Sequence, residues 1–186
     1  TRIAYVQPAE RGSRYVISGP EGRINESVYE NVRDFVFSPD GKHYAYEAWI
    51  AEKRAAVIDG SKGAEYEEVD KVVFSRDGQH CAYRAYKDGK VIVVVDGREE
   101  GPYESISGDP IISSDGSHVA YTIAKDGINH VVFDGEVQEL VGCNPVFSPD
   151  GSRWAYSRSA VYVGDPCYIA LDGDVMDIGN DNRIGQ

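Results

Sequence analysis

The chain has 186 residues, of which 41% are apolar and 11% aromatic, so it is long enough to bury a hydrophobic core. Its 31 acidic residues outnumber 19 basic ones and give a formal charge of −12. Surfaces that bind nucleic acid or anionic membranes need clustered Lys and Arg, so we expect neither partner. No apolar run approaches the ~20 residues that insertion into a membrane requires.

Two short apolar stretches open the chain. Residues 3–6 read Ile-Ala-Tyr-Val and residues 16–19 read Val-Ile-Ser-Gly, and both have the composition of strands. They match the second and third strands of a unit that the rest of the chain repeats in full. The first strand of that unit has no counterpart ahead of them, so we predict that the chain opens inside a repeat.

The unit is first complete around residues 37–46, Phe-Ser-Pro-Asp-Gly-Lys-His-Tyr-Ala-Tyr, and copies follow at residues 74–83, 112–121 and 147–156. Each copy has an apolar strand end, a tight Asp-Gly turn and a second strand that carries Ala-Tyr. This is the pattern of a β-hairpin, in which Asp accepts backbone hydrogen bonds and Gly adopts a positive φ. The turns therefore have a structural explanation.

A second Asp-Gly turn completes every period, at residues 59–60, 96–97, 134–135 and 172–173. Two hairpin turns make four short antiparallel strands, and such a unit repeated every ~40 residues is typical of a β-propeller blade. We name the strands A to D from the axis outwards. The sequence predicts an all-β fold, a single propeller domain of residues 1–186 with five four-stranded blades, near residues 1–34, 35–71, 72–109, 110–144 and 145–186.

The end of the chain offers the missing strand of the first blade. Asn182 lies 38 residues after Asn144, where the preceding repeat starts its strand A. If Ile184 pairs beside residues 3–6, the two chain ends complete one blade and close the ring, which leaves no exposed strand edge. The alternative is a fragment of a larger propeller.

The pattern Phe-Ser-Pro-Asp-Gly followed by Ala-Tyr resembles the TolB-type, WD-like β-propeller repeat over essentially the whole chain. The resemblance implies a binding or protein-interaction scaffold, often bacterial and often located in the periplasm or cell envelope. Where members of that family have an enzymatic activity, it usually resides in a fused domain. Such propellers commonly have six blades, so a count of five departs from the family pattern and leaves closure open.

Three histidines share one repeat position, three residues beyond a turn Asp, and arginine takes that position elsewhere. They are His43, His80 and His118. Equivalent residues on different blades diverge far beyond the ~2 Å ligand distance of a metal, so we expect a repeated packing or surface role and no metal site. The three cysteines do not make a disulfide framework, although a bridge between Cys143 and Cys167 stays open.

Catalytic and cofactor motifs are missing from the sequence. It has no Gly-x-Ser-x-Gly, His-Glu-x-x-His, phosphate loop or Cys-x-x-Cys. We therefore expect no cofactor and favour a non-catalytic scaffold. The alternatives are a five-bladed glycoside hydrolase with carboxylates around the axis, and a lectin-like propeller that binds sugars between its blades.

Function is expected where the repeat varies. Alternate turns of a meander lie at opposite ends, so the Asp-Gly turns share one face and the B–C and D–A loops share the other. Six residues before each turn Asp, at the entry of strand A and nearest the axis, the residue type changes from repeat to repeat. These residues are Asp34, Lys71, Asp109 and Asn144.

Two aromatics are predicted to lie beside these axial residues. Trp49 ends strand B of the second repeat, and an unusually long loop near residues 158–166 carries Tyr162 and Asp165. We predict that this face binds a protein or a small polar ligand, and the negative charge of the chain favours a basic surface or a cationic ligand. Alternatively, the two aromatics merely cap gaps between blades, and the axial residues are solvated loop ends.

Overall fold

A computed structural model describes residues 2–158 and 168–177. The described residues form twenty strands in five antiparallel sheets, and no helix occurs among them. The all-β prediction is therefore confirmed. Four predicted positions, Tyr162, Asp165, Cys167 and Ile184, lie outside the described residues.

The strands follow one another within each sheet in the order of the sequence. Sheet 1 has β1 (Ile3–Ala9), β2 (Gly12–Gly19) and β3 (Gly22–Asn25). Sheet 2 has β4 (Asn31–Phe37), β5 (Tyr44–Ile50), β6 (Lys53–Ile58) and β7 (Ser61–Lys62). Sheet 3 has β8 (Glu68–Val69), β9 (Val73–Phe74), β10 (Cys81–Lys87), β11 (Lys90–Val95) and β12 (Arg98–Tyr103). In this sheet β8 and β9 both pair with β10, so they are two halves of one inner strand.

Sheets 4 and 5 repeat the four-stranded meander. Sheet 4 has β13 (Ser105–Ile112), β14 (Val119–Lys125), β15 (Ile128–Phe133) and β16 (Glu136–Val141). Sheet 5 has β17 (Cys143–Phe147), β18 (Trp154–Arg158), β19 (Tyr168–Leu171) and β20 (Asp174–Asp177). Sheets 2 to 5 therefore each contain the strands A to D that the two turns per period predicted.

The A–B turn of each complete sheet is held by its own side chains. In sheet 2 the Ser38 hydroxyl donates to Asp40 Oδ1 at 2.6 Å, and it accepts the backbone N–H of His43 at 2.9 Å. The backbone N–H of Lys42 also donates to Asp40 Oδ1. These donors, the Ser38 hydroxyl first, lower the pKa of Asp40 to about 2. The same contacts recur at Ser75, Ser113 and Ser148.

The histidine row ties the two Asp-Gly turns of a sheet together. His43 Nδ1 lies 2.6 Å from Asp59 Oδ2, while Asp59 Oδ1 accepts the backbone N–H of Tyr44. Corresponding pairs join His80 to Asp96, His118 to Asp134, and Arg153 to Asp172. Both turns therefore lie at one end of each sheet, the Asp-Gly face, and the partly exposed histidines contribute a repeated contact between them.

An apolar cluster fills each junction between consecutive sheets, and the Ala-Tyr pair contributes to both sides. Tyr46 faces sheet 1, where its ring centroid lies 5.1 Å from that of Tyr15. Ala45, on the opposite surface of β5, packs in the cluster that contains Tyr83 of sheet 3. Strands that alternate between two faces place neighbouring residues in neighbouring junctions. The sheets therefore stack side by side, and sheets 2, 3 and 4 each lie between two described neighbours.

Sheet 1 differs from the others because it has no inner strand among the described residues. One edge of β1 pairs with β2, and no described strand pairs with the other edge. Ile3, Tyr5 and Val6 are exposed on β1. The strand predicted to cover this edge, around Ile184, lies outside the described residues.

Candidate binding site on the inner strands

The inner strand is interrupted at the same place in each complete sheet. Pairing of β4 with β5 shifts between Arg33 and Val36, where Asp34 has a φ of +55°. Pairing of β17 with β18 shifts around Asn144, which also has a φ of +55°. Asp and Asn tolerate this left-handed conformation better than most residues, and a bulge turns its extra residue out of the hydrogen-bonded ladder.

The other two predicted axial residues lie at the equivalent interruptions. Asp109 falls in the shift of β13 between Ser107 and Ile111, and Lys71 lies in the gap between β8 and β9. The four residues, Asp34, Lys71, Asp109 and Asn144, are all exposed. The predicted location at the entry of strand A is wrong for Asp34 and Asp109, because β4 begins at Asn31 and β13 at Ser105, so their bulges display residues from within the strand. Asn144 is the second residue of β17, as predicted for a residue at the strand entry.

Trp49 lies between two guanidinium groups in sheet 2. The Arg54 guanidinium is 3.7 Å from the centroid of the indole ring, and that of Arg33 is 5.4 Å away. Arg54 stands directly opposite Trp49 in the β5–β6 ladder, which is the arrangement in which cross-strand side chains meet. Trp49 is therefore held at the end of strand B, where the sequence placed it.

A buried carboxylate organises these arginines. The side chain of Glu47 is 2% exposed, accepts a hydrogen bond from Arg33 Nε and lies 3.3 Å from Arg54 Nε. The Glu47 hydrogen bond is the main reason that the pKa of Arg33 is raised. Arg33 Nε also lies 3.3 Å from Asp34, so this Trp49 cluster, residues 33, 34, 47, 49 and 54, joins two of the predicted site residues.

A second charged group, the Arg84 cluster of Asp70, Arg84 and Asp109, links the inner strands of sheets 3 and 4. Arg84 Nε lies 2.7 Å from Asp70 Oδ2, and its terminal nitrogens reach Asp109 Oδ1 at 3.4 Å and the carbonyl oxygen of Gly108 at 3.0 Å. The Arg84 side chain is 19% exposed, which shields these contacts partly from water. One arginine therefore fixes the bulge that displays Asp109.

Two of the predicted site residues, Lys71 and Asn144, belong to neither cluster. Lys71 has no ion-pair partner within the part of the chain that the structure describes, and it is exposed beside Asp70. Within the described ranges, Asn144 donates its side-chain N–H to Cys143 Sγ, at 3.4 Å, and to no other residue. The structure thus groups Asp34 with Trp49 and Asp109 with Arg84, and it leaves Lys71 and Asn144 apart from both groups.

Sequence reasoning missed the residues that position the site, Glu47, Arg54 and Arg84. A signal existed, because Glu47 and Arg84 directly follow Ala-Tyr inside otherwise apolar strands. The other repeats have the smaller Thr122 and Ser157 at that position. A charge in a buried strand requires a partner, so these two residues pointed to ion pairs.

The described residues contain neither a metal site nor a membrane-spanning helix. No group of three or more His, Cys, Asp or Glu side chains among them is placed to hold a metal ion. No helix among them is long and apolar enough to cross a membrane. The chemistry of the two clusters is therefore that of paired charges, exposed carboxylates and an aromatic ring, which suits recognition of polar or cationic groups.

Comparison with known proteins identifies the fold. No family model and no curated protein sequence matches the chain. Among solved structures, the β-propeller domain of the Trilobed protease from Pyrococcus furiosus, described as having an open velcro topology, is 17% identical over 100% of this chain and 70% of that chain, with a TM-score of 0.52. An acylaminoacyl peptidase is 17% identical over 96% of this chain and 40% of that chain, with a TM-score of 0.51.

TolB from Acinetobacter baumannii is a further match, 18% identical over 91% of this chain, with a TM-score of 0.47. This chain spans only 49% of that TolB chain. Together with the five stacked sheets, the two matches with TM-scores above 0.5 establish a β-propeller fold. They confirm the propeller fold that the resemblance to TolB-type repeats implied.

Proposed function

We propose that this β-propeller is a non-catalytic binding scaffold, and that the inner-strand bulges and the Trp49 cluster bind a protein surface or a small polar ligand that carries positive charge. One observation carries the proposal. Side-chain contacts within the A–B turns recur from sheet to sheet, whereas the exposed side chain at the interruption of the inner strand changes between consecutive sheets, from Asp to Lys, Asp and Asn. Exposed positions whose residue type varies while the surrounding fold stays constant are typical of binding sites.

The geometry supports a site that is rigid before a ligand arrives. Arg33 and Arg84 hold the Asp34 and Asp109 carboxylates in place through ion pairs, and those carboxylates remain 48% and 59% exposed. Fixed groups lose little conformational freedom on binding. The charge of −12 would steer a cationic partner toward the protein and would be screened by salt.

We also propose that the five sheets are five blades and that the strand near Ile184 completes sheet 1. The exposed apolar residues of β1 and its uncovered edge support this, because a propeller protects such edges. An apolar cluster lies at each of the four junctions between consecutive described sheets. A longer protein that supplies this strand from elsewhere is the alternative.

A lysine hexapeptide tests the binding site. We expect saturable binding that weakens as salt rises and falls at least tenfold in the double variant Asp34→Asn/Asp109→Asn. The matched control is Glu136→Gln/Asp174→Asn, which removes two exposed carboxylates beside the C–D turns on the opposite, Asp-Gly face and should change affinity less than twofold. An equal loss in the control would show that only overall charge attracts the peptide, and it would refute the site.

A further inference from the structure

The exposed residues at the interruptions of the inner strands differ in charge from one sheet to the next. Asp34 of sheet 2 and Asp109 of sheet 4 are carboxylates, whereas Lys71 of sheet 3 is a cation. Apolar clusters pack sheet 2 against sheet 3 and sheet 3 against sheet 4, so the three sheets follow one another in that order. A negative, a positive and a negative group therefore succeed one another across the inner strands.

Lys71 keeps its charge available because the carboxylate beside it is already engaged. Asp70 Oδ2 lies 2.7 Å from Arg84 Nε, and it accepts a hydrogen bond from the Tyr86 hydroxyl at 3.4 Å. Lys71 itself is exposed and has no ion-pair partner within the described part of the chain. Its ammonium group can therefore pair with an anionic group of a partner without breaking a contact of the fold.

The two carboxylates on either side of Lys71 are fixed by arginines but only partly neutralised. Arg33 contacts one oxygen of Asp34, whose side chain is 48% exposed. Arg84 contacts one oxygen of Asp109, whose side chain is 59% exposed, and it shares its charge with Asp70. Each carboxylate therefore retains acceptor capacity for a cation, whereas a cation placed opposite Lys71 would be repelled.

The spacing of these charges suits an extended chain. Packed sheets lie ~10 Å apart, and the blades of a propeller converge towards the axis, so equivalent residues on neighbouring inner strands are closer than that. In an extended chain, residues two positions apart point to the same side and lie ~6.8 Å apart. Long side chains such as Lys and Glu cover the remaining distance, so alternate residues of an extended segment can reach sheets 2, 3 and 4 in turn.

Building on the binding function proposed above, we propose that the partner of this face is an extended protein segment in which an acidic residue stands between two basic residues, each two positions away from it. The acidic residue pairs with Lys71, and the basic residues pair with Asp34 and Asp109. Lys71 discriminates against a segment that places a third cation there, although the overall charge of −12 attracts such a segment.

Two peptides of identical composition and net charge test the charge order, namely Lys-Ser-Glu-Ser-Lys and Glu-Ser-Lys-Ser-Lys, both acetylated and amidated. We expect calorimetry to show saturable binding of the first peptide, at least threefold tighter than the second. A third peptide, Lys-Ser-Lys-Ser-Lys, is more positive but should also bind at least threefold more weakly than the first. Lys71→Glu should reverse the order of the first and third peptides. Arg76→Glu, the same charge reversal at an exposed residue of the A–B turn of sheet 3 on the Asp-Gly face, is the matched control and should change each affinity ratio less than twofold.

Equal affinities for the first two peptides, tighter binding of the third by the unaltered protein, or an equal effect of Arg76→Glu would overturn the charge order alone, because the lysine hexapeptide tests the proposed function separately. No saturable binding of any of these peptides, the hexapeptide included, would overturn both. Thermal unfolding of each variant checks the fold. If Lys71→Glu unfolds early, Lys71→Gln replaces it and should lose the preference for the first peptide over the third, and an unchanged preference rejects the proposal.

Discussion

Replacing Glu47 by Gln should destabilise the protein more than any other single change in the Trp49 cluster. Glu47 is the buried member of the cluster, and it neutralises Arg54, whose side chain is only 19% exposed. Gln keeps the volume and one acceptor oxygen but removes the charge. Arg54 would then be a poorly hydrated cation without a counterion, packed against the Trp49 ring.

The expected loss is about 3 kcal/mol of unfolding free energy. At a separation of 3.3 Å and an effective dielectric constant near 20, the attraction between Glu47 and Arg54 is about 5 kcal/mol, and the desolvation of both groups offsets part of it. Removing one partner of a buried pair typically costs ~3–5 kcal/mol. Arg33 adds little, because half of its side chain is exposed and can be rehydrated.

Urea unfolding followed by circular dichroism measures this loss. A double-mutant cycle with Arg54→Met isolates the pair, because the double variant leaves neither charge buried without its partner. We expect the two losses to be non-additive by at least ~1 kcal/mol. A coupling energy below ~0.5 kcal/mol, or a loss from Glu47→Gln below ~1 kcal/mol, would refute the reasoning.

Two further predictions concern the turns. The hydrogen bond with the Asp96 carboxylate raises the pKa of His80, so its stabilisation is fully present below the unfolded pKa of ~6.5 and is lost as pH rises through the folded value. Urea unfolding between pH 5.5 and 8.5 should therefore show a decline that His80→Gln reduces. Gly78→Ala should cost at least ~1 kcal/mol more than Gly41→Ala, since both have a positive φ but only Gly78 meets Asp40.

Each of these predictions has a clear contrary result. An unchanged pH dependence in His80→Gln would show that the imidazole pairing does not stabilise the folded state. Equal losses in the two glycine variants, measured by the same urea unfolding, would show that the preceding turn yields to a methyl group.

Sequence periodicity predicted the repeated framework because its contacts are local. The Ser38 and Asp40 side chains act within one turn, and the His43 pair with Asp59 joins two turns of the same sheet. Even the packing of Ala-Tyr between sheets followed from alternation along one strand. Each of these contacts recurs in the complete sheets, with Arg153 in place of histidine in sheet 5, so the sequence displays it several times.

The proposed binding site was harder to predict because its contacts are neither local nor repeated. Arg84 reaches Asp109 of the next sheet, and no spacing in the sequence marks that pair. The bulge at Asp34 depends on one extra residue in the inner strand, which an apolar pattern does not show. The repeat showed where the residue type varies, whereas only the folded structure shows which side chains contact those residues.

The turn residues stabilise the sheets, whereas the bulge residues are exposed outside the hydrogen-bonded ladder. This difference determines where a partner can bind without destabilising the fold. The carboxylate of Asp59 already receives a backbone N–H and His43, so a ligand would have to replace contacts that stabilise the sheet. Asp34 lies outside the ladder, and its single ion pair with the half-exposed Arg33 leaves acceptor capacity free. We therefore expect substitution at the bulges to alter recognition far more than stability, and for this reason the proposed site includes the bulges and not the more numerous turn aspartates.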